Sequence, residues 1–211
     1  RWQPDGGEVV TAAATAEKVP LALPDKPSIA VLPFNNMSGD PEQEYFSDGI
    51  TEDIITALSK FRWFFVTARN STFAYKGQSP NIPEVARELG VQYVLEGSVR
   101  KAGSRVRVTG QLIDALSGNH IWAERYDREL VDIFDLQDEI TSAITGAVAP
   151  ELADTLRARS VQNAPESLDA WDLHNRAMWH LYRFNKADAA AAVAVGERAI
   201  QADPNFAAAH A

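Results

Sequence analysis

From Ser28 to Phe34 the chain reads Ser-Ile-Ala-Val-Leu-Pro-Phe, an apolar run without polar alternation. A strand of that composition is covered on both faces, which places it in the middle of a sheet. Turn formers follow at Asn35-Asn36-Met37-Ser38-Gly39. Asp40-Pro41-Glu42-Gln43 then supplies an acceptor, a ring-locked first position and a Gln three residues on, the pattern of a helix start. The loop therefore lies at the carboxyl end of a buried strand, where open α/β sheets usually hold ligands.

The remaining elements follow from spacing. Phe46, Ile50, Ile54, Ala57, Leu58 and Phe61 fall on one face of a helix ending near Lys60. Trp63 to Thr67 reads as a second buried strand, parallel to the first because a helix separates them. Arg69-Asn70-Ser71-Thr72 and Tyr75-Lys76-Gly77 read as a polar turn, and Ile82 to Leu89 as a short helix stopped by Gly90. Gln92 to Arg100, Arg105 to Leu112 and Ile121 to Tyr126 predict an antiparallel meander, the middle strand alternating strictly and so wet on one face. Asp132 can cap a long helix with Ile133, Leu136, Ile140, Ile144, Ala147 and Val148 on its apolar side, and Pro150 is expected to end or kink it.

The fold class is α/β: a mixed five-stranded sheet in the order βαβαβββα, followed by an α-helical hairpin. Ser167 to Tyr182 and Ala187 to Ala202 form that hairpin. Ala199 with Pro204, and Leu173, Ala177, His180 and Ala192, match the interlocking positions of a TPR unit, although the loop around Phe184-Asn185-Lys186 is longer than the consensus. Phe206 to His210 looks like the start of a further repeat, and one repeat cannot bury its own face. The expected divisions are a linker over residues 1–25, an α/β domain over 26–155 and a TPR-like region over 165–211.

Three blocks carry a resemblance in order and spacing: PSIAVLPFNNMSGDPEQEYFSDGITEDIITALSKF, ELGVQYVLEGSVRKAGSRVRVTGQLIDALSGNHIWAERYD and FDLQDEI. They resemble the TolB-type amino-terminal domain found beside TPR repeats in bacterial class III adenylate/guanylate cyclase proteins and related regulators. The resemblance covers roughly Lys26 to Leu152 and implies the fold, a cyclase domain upstream, and often a membrane helix between the two. That helix would put this segment on the periplasmic side of a membrane-anchored protein, a cytoplasmic site being the alternative. Arg1-Trp2 has the basic and aromatic character of a membrane border, and equally that of plain linker residues.

A net charge of -9, with 18 Asp/Glu against 11 Lys/Arg between Ser28 and Glu151, repels phosphate backbones and anionic lipid. Nucleic acid is not an expected partner, and a membrane only through a segment upstream. With no Cys there are no disulfides or thiolate metal sites.

Phe46-Ser-Asp-Gly-Ile-Thr51 echoes the metal-binding strand of class III cyclases, but it falls on a helix and has no partner motif downstream. Asp48, Glu52 and Asp53 read as a solvated helix start. His120, His174, His180 and His210 lack ligand spacing, so no metal, cofactor or catalytic residue is assigned. Asn35, Asn36 and Ser38, with Asp48 and with Arg69, Asn70 and Ser71 converging from the next parallel strand, are the candidate ligand site. Turn chemistry alone also explains those residue types. Arg100, Lys101, Arg105 and Arg107 on one hairpin, and Trp122 and Tyr126 on one strand face, are candidate partner contacts; edge protection and core packing are the plainer readings.

The reading that results is a non-catalytic binding and regulatory module of a larger signalling protein. It holds a protein or peptide in the TPR groove and serves as ligand sensor or homodimerisation platform. The alternatives are an enzyme with its site at the 35–40/69–71 loop edge, lined by Asn35, Asn36, Asp48 and Arg69, and an envelope assembly scaffold.

Overall fold

The computed structural model describes residues 26–162 and 169–210. The expected linker with Arg1-Trp2, the first residues of the helix expected from Ser167, and Ala211 lie outside the described residues. In chain order the elements are β1 (Ser28–Val31), β2 (Asn35–Asn36), α1 (Glu44–Leu58), β3 (Phe65–Val66), α2 (Arg69–Phe73), α3 (Ile82–Leu89), β4 (Tyr93–Ala102), β5 (Arg105–Asp114), β6 (His120–Glu129), α4 (Ile133–Gln162), α5 (Ala170–Leu181) and α6 (Lys186–Ala202).

The sheet runs β3-β1-β4-β5-β6, with β2 paired to β4 as a sixth, two-residue strand. All four residues of β1 are buried, as an unbroken apolar run requires. β3 and β4 flank it in parallel, and β5 and β6 extend the sheet antiparallel.

The run from Ser28 to Phe34 is not one strand. Leu32 N–H still donates to the Leu95 carbonyl at 2.9 Å, but Pro33 has no N–H to continue the ladder. Phe34 N–H turns away to the buried Thr51 hydroxyl of α1 at 3.0 Å. Pairing resumes at Asn35 opposite Ser98, so this side uses four steps from Val31 where β4 uses three from Leu95. The extra residue aims Phe34 into the core. Thr51 also donates to the Ser47 carbonyl at 2.8 Å. Thr51→Val keeps the shape and orphans the Phe34 N–H, an expected loss of about 1–3 kcal/mol in urea denaturation, with Thr51→Ser losing less.

Helix starts obey their local chemistry. Asp40 accepts from Glu42 N–H at 3.0 Å and opens a single 3-10 turn, Pro41–Gln43, ahead of α1. Asp132 caps α4 by accepting from Phe134 and Asp135 N–H at 2.8 and 3.1 Å. Gly90 ends α3 at φ 64°, a left-handed turn that glycine adopts without strain.

Two local expectations are corrected. Arg69 to Phe73 is a helix, α2, rather than an irregular turn. Pro150 does not end α4, which runs on to Gln162. The interior cost of proline is about 3 kcal/mol. Leu152 and Leu156, both buried beyond it, return about 1.5–3 kcal/mol each by staying on the core.

The main core lies between one sheet face and helices α1 and α4, with Ile50, Ile54, Leu58, Ile140, Ile144 and Val148 against Leu95, Val108 and Leu112. On the other face α3 places Val85 and Ala86 over Ala30, Leu32 and Val94 of the parallel strands. That cover stops at the parallel half. The outward side chains of β5 and β6, among them Arg105, Arg107, Ala123, Arg125 and Asp127, stay exposed. Helices α5 and α6 pair through Leu173 and Ala199, and Trp171 stacks on Trp63 with ring centroids 6.3 Å apart, joining the hairpin to the main core.

Candidate functional site

The loop after β1 is held by its own side chains. Asn36 Nδ2 donates to the Asp40 carbonyl at 2.8 Å, and its Oδ1 accepts from Ser38 N–H at 2.9 Å. Ser38 Oγ accepts from Lys101 N–H at 2.9 Å, while Lys101 Nζ reaches Gln43 Oε1 at 3.4 Å. Asn36, Ser38 and Lys101 thus pin the loop to the end of β4.

Asp48, Arg69, Asn70 and Ser71 belong to a second arrangement. Lys76 donates to both Asp48 oxygens at 2.6 and 2.7 Å and lies 3.2 Å from Glu44. Burial works against its charge, but those carboxylates outweigh it and hold the ammonium above its ordinary range. Arg69 pairs with Glu52 at 3.1 Å and lies over the Phe73 ring at 3.8 Å. These contacts stitch α2 and the turn after it onto α1, at about 0–1 kcal/mol per exposed pair. Asp53 is raised first by its burial and then by Asp138 and Glu52.

Within the expected loop-edge site Asn36 turns to Asp40, Asp48 to Lys76 and Arg69 to Glu52. Asn35 borders a cleft of about 320 Å³ with Tyr75, Gln78 and Pro80. Ser71 borders a neighbouring one of about 530 Å³ with Tyr75, Glu84 and Glu88. Asn70 is exposed on α2.

A larger trough, about 550 Å³, lies on the open face of the meander, where Asn35, Glu96, Ser98, Thr109, Gln111 and Arg125 line it. Ser98 and Thr109 hydroxyls share a hydrogen bond of 2.7 Å, and Gln111 Nε2 donates to Glu96. Sequence reasoning missed Glu96, Ser98, Thr109 and Gln111. The signal was present in the alternation of β5, which puts Arg105, Arg107, Thr109 and Gln111 on one face once it is followed across to β4.

Of the hairpin cations, Arg100, Arg105 and Arg107 share that outer face beside Asp127. Arg107 holds Asp127 through two bonds, at 2.6 and 3.2 Å, which keeps the Asp127 carboxyl below its usual range. Lys101 faces the opposite way. Trp122 and Tyr126, on one strand face, separate in depth: Trp122 is buried in the main core, while Tyr126 sits half-buried at its rim and donates to Glu124 at 2.8 Å. Burial, and then that bond, pushes the Tyr126 phenol up. His180 meets Asp188 at 2.7 Å, and burial among Trp171 and Phe206 lowers His174.

Among the described residues no helix is long and apolar enough to cross a membrane.

Residues 25–143 match the family model described as the HilA/YgeH-like transcriptional regulator, second domain. Over 196 residues the chain is 53% identical to a protein of Rhizobium meliloti (strain 1021) named "Putative adenylate cyclase 3"; the match covers 93% of this chain and 33% of that protein, so the chain spans about a third of its curated relative. Among solved structures it is similar to the lipoprotein GNA1162 from Neisseria meningitidis, at TM-score 0.44 and 20% identity over 58% of this chain and 96% of that one. It is also similar to TolB from Acinetobacter baumannii, at TM-score 0.41 and 20% identity over 63% of this chain and 30% of that one. Likenesses of that degree carry no functional argument.

Proposed function

The chain belongs to the family of the HilA/YgeH-like transcriptional regulator second domain, and from that premise we propose that it is a non-catalytic binding and regulatory module of a larger signalling protein. The observation that carries this reading is that the same module is matched in proteins described by two different outputs, transcription regulation and adenylate cyclase. A part shared between two such outputs supplies what they have in common, recognition and control, and not the output chemistry. The ion pairs of Asp48 and Arg69 support it further, since these groups knit helices together instead of converging on a substrate.

In this proposal the α/β part, residues 26–155, senses a ligand or sets the geometry of paired chains, and residues 165–211 begin a TPR-like array that holds a protein or peptide. An upstream cyclase domain would supply activity, and a membrane segment between the two would set the module on the periplasmic side. The support for that side is the resemblance and the Arg1-Trp2 pair, and a topology reporter fused after residue 211 decides it.

Cyclic nucleotide output of the full-length protein, with and without residues 26–211, tests the regulatory reading. A change of about fivefold or more is expected from an allosteric coupling of ordinary size. Unchanged output in a well-folded deletion would remove it.

A further inference from the structure

The sheet ends at β6, whose outer edge carries no neighbouring strand among the described residues. The other margin, β3, is two residues long; β6 is ten. A long open edge offers a row of backbone N–H and C=O groups as a template for another strand. At one point that edge already reaches for a substitute: the Asp127 carbonyl accepts from Arg128 Nη1 at 3.0 Å.

The sequence of this edge is a charge palindrome. Glu124-Arg125-Tyr126-Asp127-Arg128, laid antiparallel against a second copy of itself with Tyr126 on the two-fold axis, sets Arg125 opposite Asp127 and Glu124 opposite Arg128, each pair occurring twice. Residues of equal parity share a face in antiparallel pairs, so this register also keeps the core side of both sheets aligned. Neighbouring registers that keep the faces fail. Centred on Arg125 or on Asp127 they place like charges at the axis, and centred on Glu124 they do the same with two carboxylates.

We infer that β6 is a homodimerisation edge, two copies of the chain joining their sheets across an antiparallel β6–β6 pair centred on Tyr126. Charges on an edge strand commonly blunt it against pairing; here they are arranged to be complementary to themselves and select one register. Within one chain Asp127 is held by Arg107 of β5 at 2.6 and 3.2 Å and approached by Arg125 at 3.4 Å, while Arg128 on the other face pairs with Glu139 of α4; all of these pairs are exposed, so exchanging them for intermolecular ones costs little. The inference deepens the proposed function, resting on its suggestion that the module sets the geometry of paired chains. A single β6 pair is a small interface, so association of the isolated chain is expected to be weak, concentration-dependent and favoured at low salt.

Tyr126→Cys tests the register directly. On the axis the two Cα atoms lie about 4.5–5.5 Å apart, inside disulfide range, and the chain has no other Cys to confuse the result. Mild oxidation should yield covalent dimer for Tyr126→Cys and none for Glu124→Cys, whose copies lie four residues apart across the axis. Sedimentation of charge variants gives an independent reading that does not disturb the core rim. Arg125→Asp should abolish association by opposing two carboxylates in both halves, and Arg125→Asp with Asp127→Arg should restore it, with circular dichroism confirming folding in each. Monomer at every concentration, equal cross-linking at both positions, or a double swap that stays monomeric would overturn the proposal. The binding-module reading would survive that result, because its own test is output with and without the segment.

Discussion

Gly97→Ala is expected to cost about 3 kcal/mol or more, close to a third of the stability of an ordinary domain. The reason lies in a glycine pair that faces the core from adjacent strands. Gly97 of β4 stands directly opposite Gly110 of β5. A Cβ on Gly97 would overlap both the Phe34 ring and the Thr109 carbonyl oxygen. Neither can step aside: Phe34 is fully buried with its N–H held by Thr51, and the Thr109 carbonyl is backbone in the middle of the β4–β5 ladder. The strands must part or the ring must leave the core. Thermal unfolding should show a drop of roughly 10 °C. Because the conflict is chiefly with one ring, Gly97→Ala combined with Phe34→Leu should lose less than the sum of the two single changes. Additive losses would mean that the backbone contact, and not Phe34, sets the cost.

The centre of the sheet could be read from residues 28–34 because burial on both faces leaves a direct mark on composition. The parallel pairing of the first two strands and the antiparallel meander followed from the helices and turns between the runs, and the wet face of β5 from its alternation. What could not be read depends on distant parts of the chain. Nothing near Phe34 announces that Gly97 vacates its place, since the glycine lies in another strand and reads locally as a weak strand former. α2 was hidden because five residues with a polar surface have no helical period to display. The continuation of α4 past Pro150 was hidden for the opposite reason: the local rule is sound, and tertiary burial of Leu152 and Leu156 outweighs it. In the candidate site, the loop bonds of Asn36 and Ser38 are turn chemistry that their residue types already implied. The pairing of Asp48 with Lys76 and of Arg69 with Glu52 needed the fold, because each joins elements whose approach no local pattern specifies.

Trp122→Ala is expected to remove about 3–5 kcal/mol, and Trp122→Phe far less. Trp122 is 8% exposed and lies across Gly110, where a Cβ would come within 3.1 Å of its Cη2 and Cζ3 atoms, with Ile144 of α4 close by. Truncation to alanine leaves a void under α4 that Gly110, beneath the ring, cannot help to fill. Yet the indole carries a liability of its own, since its buried Nε1–H has no hydrogen-bond partner among the described residues. A buried donor without a partner costs about 1–3 kcal/mol. Phenylalanine deletes that donor while keeping most of the ring, so the gain offsets much of the lost packing. The contrast separates core from contact surface. If Trp122 were an anchor for a partner, the alanine variant would keep its unfolding midpoint and lose only association. A large fall in the urea midpoint for alanine, with a small one for phenylalanine, assigns it to the core and leaves Tyr126, four residues along the same strand, as the aromatic group of β6 available to a second chain.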